Sequence, residues 1–361
     1  MFEDLASDID ANSSVFGSVA RRTLSRMTSP SLDLDLFARE NLVAWCVVPY
    51  DSRRRGPRAR AELLAELGLR RLAWDWRPEH VGQFEAELDA LAEFGIELTG
   101  LWVPAVVPEP SSSGGDSEDD ALGRIDPDVR VLLDVLAERR LATQLWTCTE
   151  FGAPGPVTSL PAEEQRARVQ RTATHLAPLA ERAAADGHTL ALYNHLGWFG
   201  EPANQIAVLQ VLADRGLDRT GLVYQQHHGH AHVDDFAALL ASMRGPLVAL
   251  GLNGMLPGVH WGDGKVHPYG HGPRDVELAR VIAGSGWRGP VSILGHTMDD
   301  VEHRLRDNLE GVDWVVEQLR AAEVVPDGGY PGDSAPGDSA RGNSATGGPP
   351  PARIPAPVWP H

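Results

Sequence analysis

Histidines are concentrated in one part of this 361-residue sequence, where nine of the 14 lie between His195 and His296. The segments LALYNHLGWFGEP, GLVYQQHHGH and SILGH each place an apolar run directly before one or more of them. Imidazole exchanges protons near neutral pH and is a common metal ligand, so these residues suit acid–base or metal chemistry. An apolar run that stops at polar residues is typical of a buried parallel strand ending at the mouth of a barrel or sheet. We therefore expect one site built from strand ends.

Eight strand–helix units account for the middle of the chain. Short apolar runs predict strands over 42–48, 71–75, 97–103, 142–147, 189–193, 222–225, 247–252 and 291–294. Helical spacing of apolar residues follows each of them, over 59–68, 81–94, 128–140, 162–185, 202–214, 234–244, 275–283 and 299–319. This alternation predicts an α/β fold, a single (β/α)8 TIM barrel. A doubly wound sheet would usually carry G-x-G-x-x-G after its first strand, where this chain has PYDSRRRG.

The two ends of the sequence differ from the middle. We assign residues 1–40 to a flexible N-terminal extension, 41–322 to the barrel and 326–361 to a disordered C-terminal tail. The tail contains the repeats PGDSA, PGDSA and RGNSA. Such a segment has too little apolar area to offset the entropy lost on ordering. We therefore expect that deleting 326–361 leaves folding and activity unchanged.

Composition excludes several classes of function. The formal net charge is −18, from 50 acidic and 32 basic residues, which opposes binding to nucleic acid or to an anionic membrane. No apolar run is long enough to span a bilayer. Cys46 and Cys148 have neither metal-type nor disulfide-type spacing, which predicts reduced thiols and a cytoplasmic protein. The expected partner is a small carbohydrate-like molecule.

The candidate site residues follow the predicted strands, because TIM barrels carry their chemistry at the carboxyl ends of strands. They include the only lysine of the chain and comprise Asp75, Trp76, Glu150, Asn194, His195, Trp198, Gln225, His228, His230, Asn253, Lys265 and His296. The segment YGHG adds Gly270 and Gly272, which have two interpretations. They form a turn that needs positive φ, or they let the backbone approach a phosphate or sugar at a helix N-terminus.

Residues 41–319 resemble the xylose-isomerase-like TIM-barrel superfamily, the sugar phosphate isomerases and epimerases. The resemblance rests on NLVAWCVVPYD, WDWR, LYNHLGWFGEP, VYQQHHGH, LNGM, the G-x-G-x-x-D turn at 270–275 and GWRGPVSILGHT. It implies the barrel fold and proton transfer beside a sugar carbonyl. It also places four ligands of a divalent metal at Tyr193, Gln225, Gly251 and Leu294, and none of these is a strong ligand for such an ion.

The function expected from these residues is that of a sugar isomerase or epimerase. We predict His228, His195, Glu150 and Lys265 as catalytic residues. We predict substrate contacts from Asp75, Trp76, Asn194, Trp198, Gln225, Asn253, Gly270 and Gly272. A divalent metal (Zn, Mn, Mg or Co) would have to bind a replacement set of imidazoles, namely His195, His228, His230 and His296. Two alternatives stay open: a hydrolase or lyase that uses a His-bound metal, and a sugar-binding barrel without catalysis.

Overall fold

Eight short parallel strands form a closed barrel in the computed structural model of the protein, which describes residues 31–105, 122–151, 159–259, 264–324, 348–349 and 351–353. Each strand pairs with the next, and the eighth pairs with the first. The strands are β1 Leu42–Trp45, β2 Arg71–Trp74, β3 Glu97–Trp102, β4 Gln144–Thr147, β5 Thr189–Tyr193, β6 Thr220–Gln225, β7 Leu247–Leu252 and β8 Val291–Leu294. The (β/α)8 barrel predicted from the alternation of elements is confirmed.

One main helix follows each strand and packs outside the barrel. The helices are α1 Pro57–Glu66, α2 Phe84–Glu93, α3 Pro127–Arg139, α4 Ala162–Ala185, α5 Pro202–Asp214, α6 Phe236–Met243, α7 Asp275–Gly284 and α8 Val301–Val324. Asp126 caps α3 as its sequence predicts, accepting hydrogen bonds from the backbone N–H groups of Asp128 (2.8 Å) and Val129 (3.3 Å). No helix of the described ranges is both long and apolar enough to cross a membrane.

The first strand is shorter than predicted. It ends at Trp45, because Cys46 adopts a left-handed backbone with φ of +56° and breaks the extended run. A 3-10 turn, Val48–Tyr50, follows in place of the predicted strand end. This turn brings Tyr50 to the carboxyl end of the barrel, where it lines a cavity.

A polar bridge crosses the interior of the barrel near the ends of β6 and β8. The side-chain amide of Gln225 donates to the Ser292 hydroxyl at 2.9 Å. Gly251 on β7 leaves space for this amide, since a Cβ there would lie 1.7 Å from Gln225 Oε1. The bridge closes the bottom of the region in which strand-end side chains meet.

Two short segments outside the barrel contact its helices. Residues 33–40, which the sequence assigned to the flexible extension, contain a 3-10 helix, Leu34–Phe37, whose Leu36 and Phe37 are buried. In the predicted tail, Arg353 donates to Asp307 of α8 from its backbone N–H (2.9 and 3.0 Å) and its guanidinium (2.9 Å). Residues on both sides of the predicted barrel limits, 41 and 322, therefore contact the barrel.

Candidate functional site

A cavity of about 560 Å³ opens at the carboxyl end of the barrel. Aromatic side chains form its floor: Trp45 lies 5.8 Å from Tyr193 and 6.1 Å from Trp102, measured between ring centroids. The Trp45 indole also donates to the Tyr193 hydroxyl at 3.2 Å. Trp76, another predicted site residue, lines the wall and donates from its indole to the Trp102 carbonyl at 2.6 Å. The cavity thus offers flat apolar surfaces between polar strand ends.

Four histidines line this cavity, and they follow three of the strands, β5, β6 and β8. His195 follows β5, His227 and His228 form a 3-10 turn after β6, and His296 follows β8. The ring centroids of His195 and His228 lie 4.4 Å apart, and those of His227 and His228 lie 3.9 Å apart. The ring of His296 packs on Tyr50 at 3.6 Å. The structure therefore brings together three predicted residues, His195, His228 and His296, and adds His227.

These imidazoles are uncharged at neutral pH. Burial, with a smaller contribution from the charge of Lys265, lowers the pKa of His195 to about 4 and the pKa of His296 to about 3. Burial likewise holds the pKa of His227 and of His228 well below the usual range for histidine. Nδ1 of His195, His227 and His228 has no hydrogen-bond partner among the described residues. All three rings line the cavity, and no hydrogen bond from the described residues holds their Nδ1 atoms.

Lys265 reaches the cavity from the loop after β7 and is only 7% exposed. Burial lowers the pKa of its ammonium to about 7, with Cys46 opposing this effect. The carbonyl of Lys265 accepts hydrogen bonds from the Asn253 amide (3.0 Å) and from His230 Nε2 (2.9 Å). The Asn253 side-chain oxygen accepts from the His267 backbone N–H at 3.1 Å. Asn253 and His230, predicted to bind substrate and metal, instead hold the lysine loop in place.

Asp75 is the buried carboxylate of the cavity and is 3% exposed. Its Oδ1 accepts from the backbone N–H groups of Val47 and Val48, both at 3.2 Å. Its Oδ2 has no hydrogen-bond partner among the described residues. Burial raises the pKa of this carboxyl to about 6, although the hydrogen bond from Val48 and the charge of Arg77 act to lower it. Two backbone N–H groups thus hold one oxygen of Asp75, and no hydrogen bond from the described residues holds the other.

Two residues that sequence reasoning did not select, Tyr50 and Arg77, complete the wall beside Asp75. The Arg77 guanidinium donates to the Tyr50 hydroxyl at 2.9 Å and to the Trp76 carbonyl at 2.7 Å. Both line the cavity. The motifs VVPYD and WDWR contain them, so position after a strand is the signal that would have found them.

Four predicted residues lie behind the cavity and fix the backbone. Asn194 accepts from the Gln225 backbone N–H at 2.7 Å and donates to its carbonyl at 3.2 Å, which joins β5 to β6. Glu150 accepts from the Phe199 backbone N–H (2.7 Å) and from Arg168 (2.6 Å). The Trp198 indole donates to Gln165 at 2.7 Å. None of these four residues, Asn194, Gln225, Glu150 and Trp198, lines the cavity. Their polar side-chain groups bond instead to the backbone, to Ser292 or to α4.

Gly270 and Gly272 follow the turn interpretation of YGHG. The backbone N–H groups of both donate to Asp275 Oδ2, at 2.8 and 2.9 Å, so a carboxylate of the chain uses the donors that a phosphate would need. Gly270 has a φ of +86°, and a Cβ there would lie 2.8 Å from Gly311 Cα. The expectation that these glycines contact substrate is therefore corrected.

The side chains at the positions that the resemblance assigns to a metal do not fit one. The Tyr193 hydroxyl bonds to Trp45, Gln225 bonds to Ser292, and Gly251 and Leu294 offer no ligand atom. Among the described residues, no group of three or more His, Cys, Asp or Glu side chains is placed to share a metal ion. The replacement set predicted here is not assembled, because His230 bonds to the backbone of the lysine loop. His260 lies outside the described residues.

Comparisons with known proteins agree with this fold. No family model matches the chain, and no curated protein matches it. Solved structures do match. The 3-keto-D-glucoside 4-epimerase of E. coli is 14% identical over 76% of this chain and 98% of its own, with a TM-score of 0.51. The IolI protein with a zinc atom has the same identity, coverage and TM-score. The D-allulose 3-epimerase of Methylomonas sp., in complex with D-allulose, is 15% identical over 79% and 96%, with a TM-score of 0.50.

The matches confirm, for the fold, the resemblance seen in the sequence. The chain shares the barrel architecture of these two epimerases and of the IolI protein. At identities of 14–15%, the similarity shows a shared fold and no shared activity.

Proposed function

We propose that the protein is an isomerase or epimerase that moves a proton on the carbon beside the carbonyl group of a carbohydrate-like molecule. The observation that carries the proposal is that one cavity is lined by a buried carboxylate, Asp75, and by a buried amine, Lys265. The fold relatives named as sugar epimerases support the same class of reaction. A role in the cytoplasm stays a prediction, with which the two free, buried cysteines agree.

Asp75 is the proposed base. A general base works best when its pKa lies near the working pH, and burial has moved the pKa of Asp75 to about 6. The two backbone N–H groups on Oδ1 hold the carboxylate in one orientation while Oδ2 takes the proton. The sequence-based assignment of Asp75 to substrate contact is thereby extended to proton transfer.

Neutral imidazoles are the proposed hydrogen-bond partners of the oxygen atom on which negative charge develops. His195 and His228 are fixed side by side, and their unpartnered Nδ1 atoms supply a donor in the matching tautomer. Their low pKa values make them poor bases at pH 7, so the proposal assigns them polarisation of the substrate rather than its deprotonation. Both keep the catalytic role predicted from the sequence.

The shape of the cavity supports a sugar-like substrate. Trp45, Trp102 and Tyr193 give flat faces against which the C–H groups of a sugar ring stack, and Arg77 and the histidines bond its hydroxyls. The side chains present do not fit the divalent metal that the fold family implies, and we route no step through one. The sequence left open a metal-dependent hydrolase or lyase. Among the described residues, no group of metal-ligating side chains supports that alternative.

Deuterium exchange tests the proposal. The purified protein is incubated in D2O with ketoses and 3-keto-glycosides, and mass spectrometry and NMR follow deuterium uptake at the carbon beside the carbonyl. We expect uptake by the wild type and a loss of at least about 100-fold in Asp75→Asn, since a positioned base contributes this much or more. His228→Ala is expected to lower the rate as well.

The matched control is Glu87→Gln. Glu87 is as buried as Asp75, and burial raises its pKa to about 7, but it lies on α2 outside the described cavity lining. This variant breaks the buried pair of Glu87 with Arg60 and is expected to be less stable, but under conditions in which it is folded it is expected to keep the exchange rate. Saturable sugar binding without any deuterium uptake would replace the proposal with a binding barrel, and exchange that survives Asp75→Asn would remove Asp75 from its role.

A further inference from the structure

Lys265 is the only lysine among the 361 residues, and the fold places it inside the cavity. Its backbone is fixed from two sides, by Asn253 and by His230, and the adjacent Val266 is buried in the barrel core. A long, flexible side chain usually stays in water, because burying an ammonium without strong compensation is costly. The loop is therefore built to hold this amine at a defined place in an enclosed site.

The surroundings of Lys265 favour the uncharged amine. Burial is the main cause of its lowered pKa of about 7, and four imidazoles line the same cavity. A positive Lys265 in turn lowers the pKa of all four, His195, His227, His228 and His296. A desolvated lysine with a lowered pKa is a nucleophile toward carbonyl carbon at neutral pH.

We infer that Lys265 activates the substrate carbonyl covalently, as an iminium ion, and that this bond supplies the electron sink for proton transfer. The inference rests on the proposed function and names the group that carries out its electrophilic step. It also accounts for the residues at the family's metal positions, where Tyr193, Gln225, Gly251 and Leu294 leave no ligand set to polarise a carbonyl.

The proposed steps balance without an oxidant or reductant. The lone pair of Lys265 Nζ attacks the carbonyl carbon, and the carbonyl oxygen takes a proton to give a carbinolamine. A second proton on that oxygen lets it leave as water, and a C=N bond forms. Asp75 then removes the proton from the neighbouring carbon, and the electron pair moves to nitrogen as an enamine. Reprotonation of that carbon on its other face restores the iminium ion of the epimer, and hydrolysis with one water returns the amine and the product.

Asn253 and His230 are positioning residues in this scheme. They bond to the carbonyl of Lys265 rather than to its amine, so they set where the side chain starts. Asn253→Ala is therefore expected to slow iminium formation while leaving the pH midpoint of the reaction unchanged. A general loss of folding would not lower the rate and keep the same pH midpoint.

Borohydride trapping tests the inference. The full chain is incubated with D-allulose or glycolaldehyde and reduced with sodium borohydride, which adds hydride to an iminium and makes the bond permanent. Intact mass spectrometry is expected to show one adduct, with the mass of the probe less one water plus two hydrogens. Because the chain has a single lysine, peptide mapping separates a Lys265 adduct from one on the N-terminal amine.

The controls separate the site from the chemistry of any amine. Lys265→Arg keeps a positive charge but forms no iminium and is expected to give no adduct at this position. The double variant Lys265→Met, Arg280→Lys moves the single lysine to an exposed place on α7 and is expected to react at least about tenfold more slowly. Equal trapping in the double variant would overturn the inference.

The rate of trapping is expected to rise with pH through about 7. The uncharged amine is the nucleophile, so the rate grows as the proton leaves Lys265. The other titratable or charged groups that line the described part of the cavity are Cys46, Tyr50, Asp75, Arg77, Asp126, Asp128, Tyr193, His195, His227, His228 and His296. A midpoint near 10, the value for lysine in water, would contradict the inference.

The two proposals fail in different ways. Deuterium exchange with no adduct from either probe would overturn the covalent role of Lys265 and leave the isomerase proposal standing. An adduct on Lys265 without exchange in any carbonyl compound would support the amine chemistry and reject the isomerase. Loss of exchange in Lys265→Arg together with trapping in the wild type supports both.

Discussion

The two ends of the barrel differ in how their polar side chains are bonded. At the amino end, a cavity of about 300 Å³ is lined by Arg71, Glu97 and Gln144. Arg71 pairs with Glu97 at 3.3 Å, and Gln144 donates to the Val248 carbonyl at 3.3 Å. At the carboxyl end, an oxygen of Asp75 and the Nδ1 atoms of three histidines have no partner among the described residues. The hydroxyl of Thr99 at the amino end also has no partner among the described residues, so the two ends differ in the kind of group they hold: the carboxyl end brings buried titratable groups with shifted pKa values into one cavity, which suits it to proton transfer.

The same contrast holds for buried cations. Arg60 on α1 donates to Glu87 on α2 at 3.1 Å, and both side chains are almost fully buried. Arg60 also donates to the Arg55 carbonyl at 2.8 Å. Lys265 in the cavity is buried to a similar degree, and burial lowers its pKa to about 7. The carboxylate of Glu87 thus stabilises the charge of Arg60 between two helices, whereas burial in the cavity favours the uncharged amine of Lys265.

The largest expected effect comes from breaking the compensated pair. Arg60→Met leaves the Glu87 carboxylate buried without its cation and is expected to lower the free energy of unfolding by about 3–5 kcal/mol. Urea unfolding at pH 7 measures the change. Arg58→Met is the matched control, because Arg58 pairs with Glu93 in solvent and such pairs contribute at most about 1 kcal/mol. Equal losses in the two variants would show that burial does not distinguish the pairs.

A change of opposite sign is expected at the carboxyl end. Lys265→Met is expected to raise the free energy of unfolding by about 2 kcal/mol at pH 7, while it abolishes exchange and trapping. The folded pKa of Lys265 is lowered to about 7 from its ordinary value near 10.5. Between these values the unfolded chain binds the extra proton, so the lysine disfavours folding most at or below pH 7.

The pH dependence sharpens this second prediction. The stabilisation by Lys265→Met is expected to shrink as pH rises from 7 toward 10, because the lysine then loses its proton in both states. Unfolding measured at pH 7 and at pH 9.5 gives the two values. A Lys265→Met protein that is less stable than the wild type at pH 7 would mean that the amine supports the fold and is not held there for function.

Sequence reasoning found the fold and the strand ends but not the bonding between loops. Alternating apolar runs predict the barrel because each strand must be buried on both faces. His195, His228 and His296 were found because their place after a strand determines where they point. The roles of Asn253 and His230 depend on a backbone carbonyl at Lys265, a contact that residue type does not reveal. The left-handed turn at Cys46, which brings Tyr50 to the cavity, has no glycine to signal it.

The smallest expected effect concerns the tail, which composition alone predicted to be dispensable. Arg353 bonds to Asp307, whose side chain is fully buried, and also to Glu310 on the same helix. Deletion of 326–361 exposes Asp307 to water, which solvates the carboxylate, so the loss of stability is expected to stay near 1 kcal/mol.

Arg353→Gln in the full chain is expected to reproduce most of that loss. Because salt screens such pairs, the difference between wild type and Arg353→Gln is expected to shrink in 1 M NaCl, where the screening length is about 3 Å. A loss above about 2 kcal/mol that persists in salt would instead show that apolar packing by the tail supports the barrel.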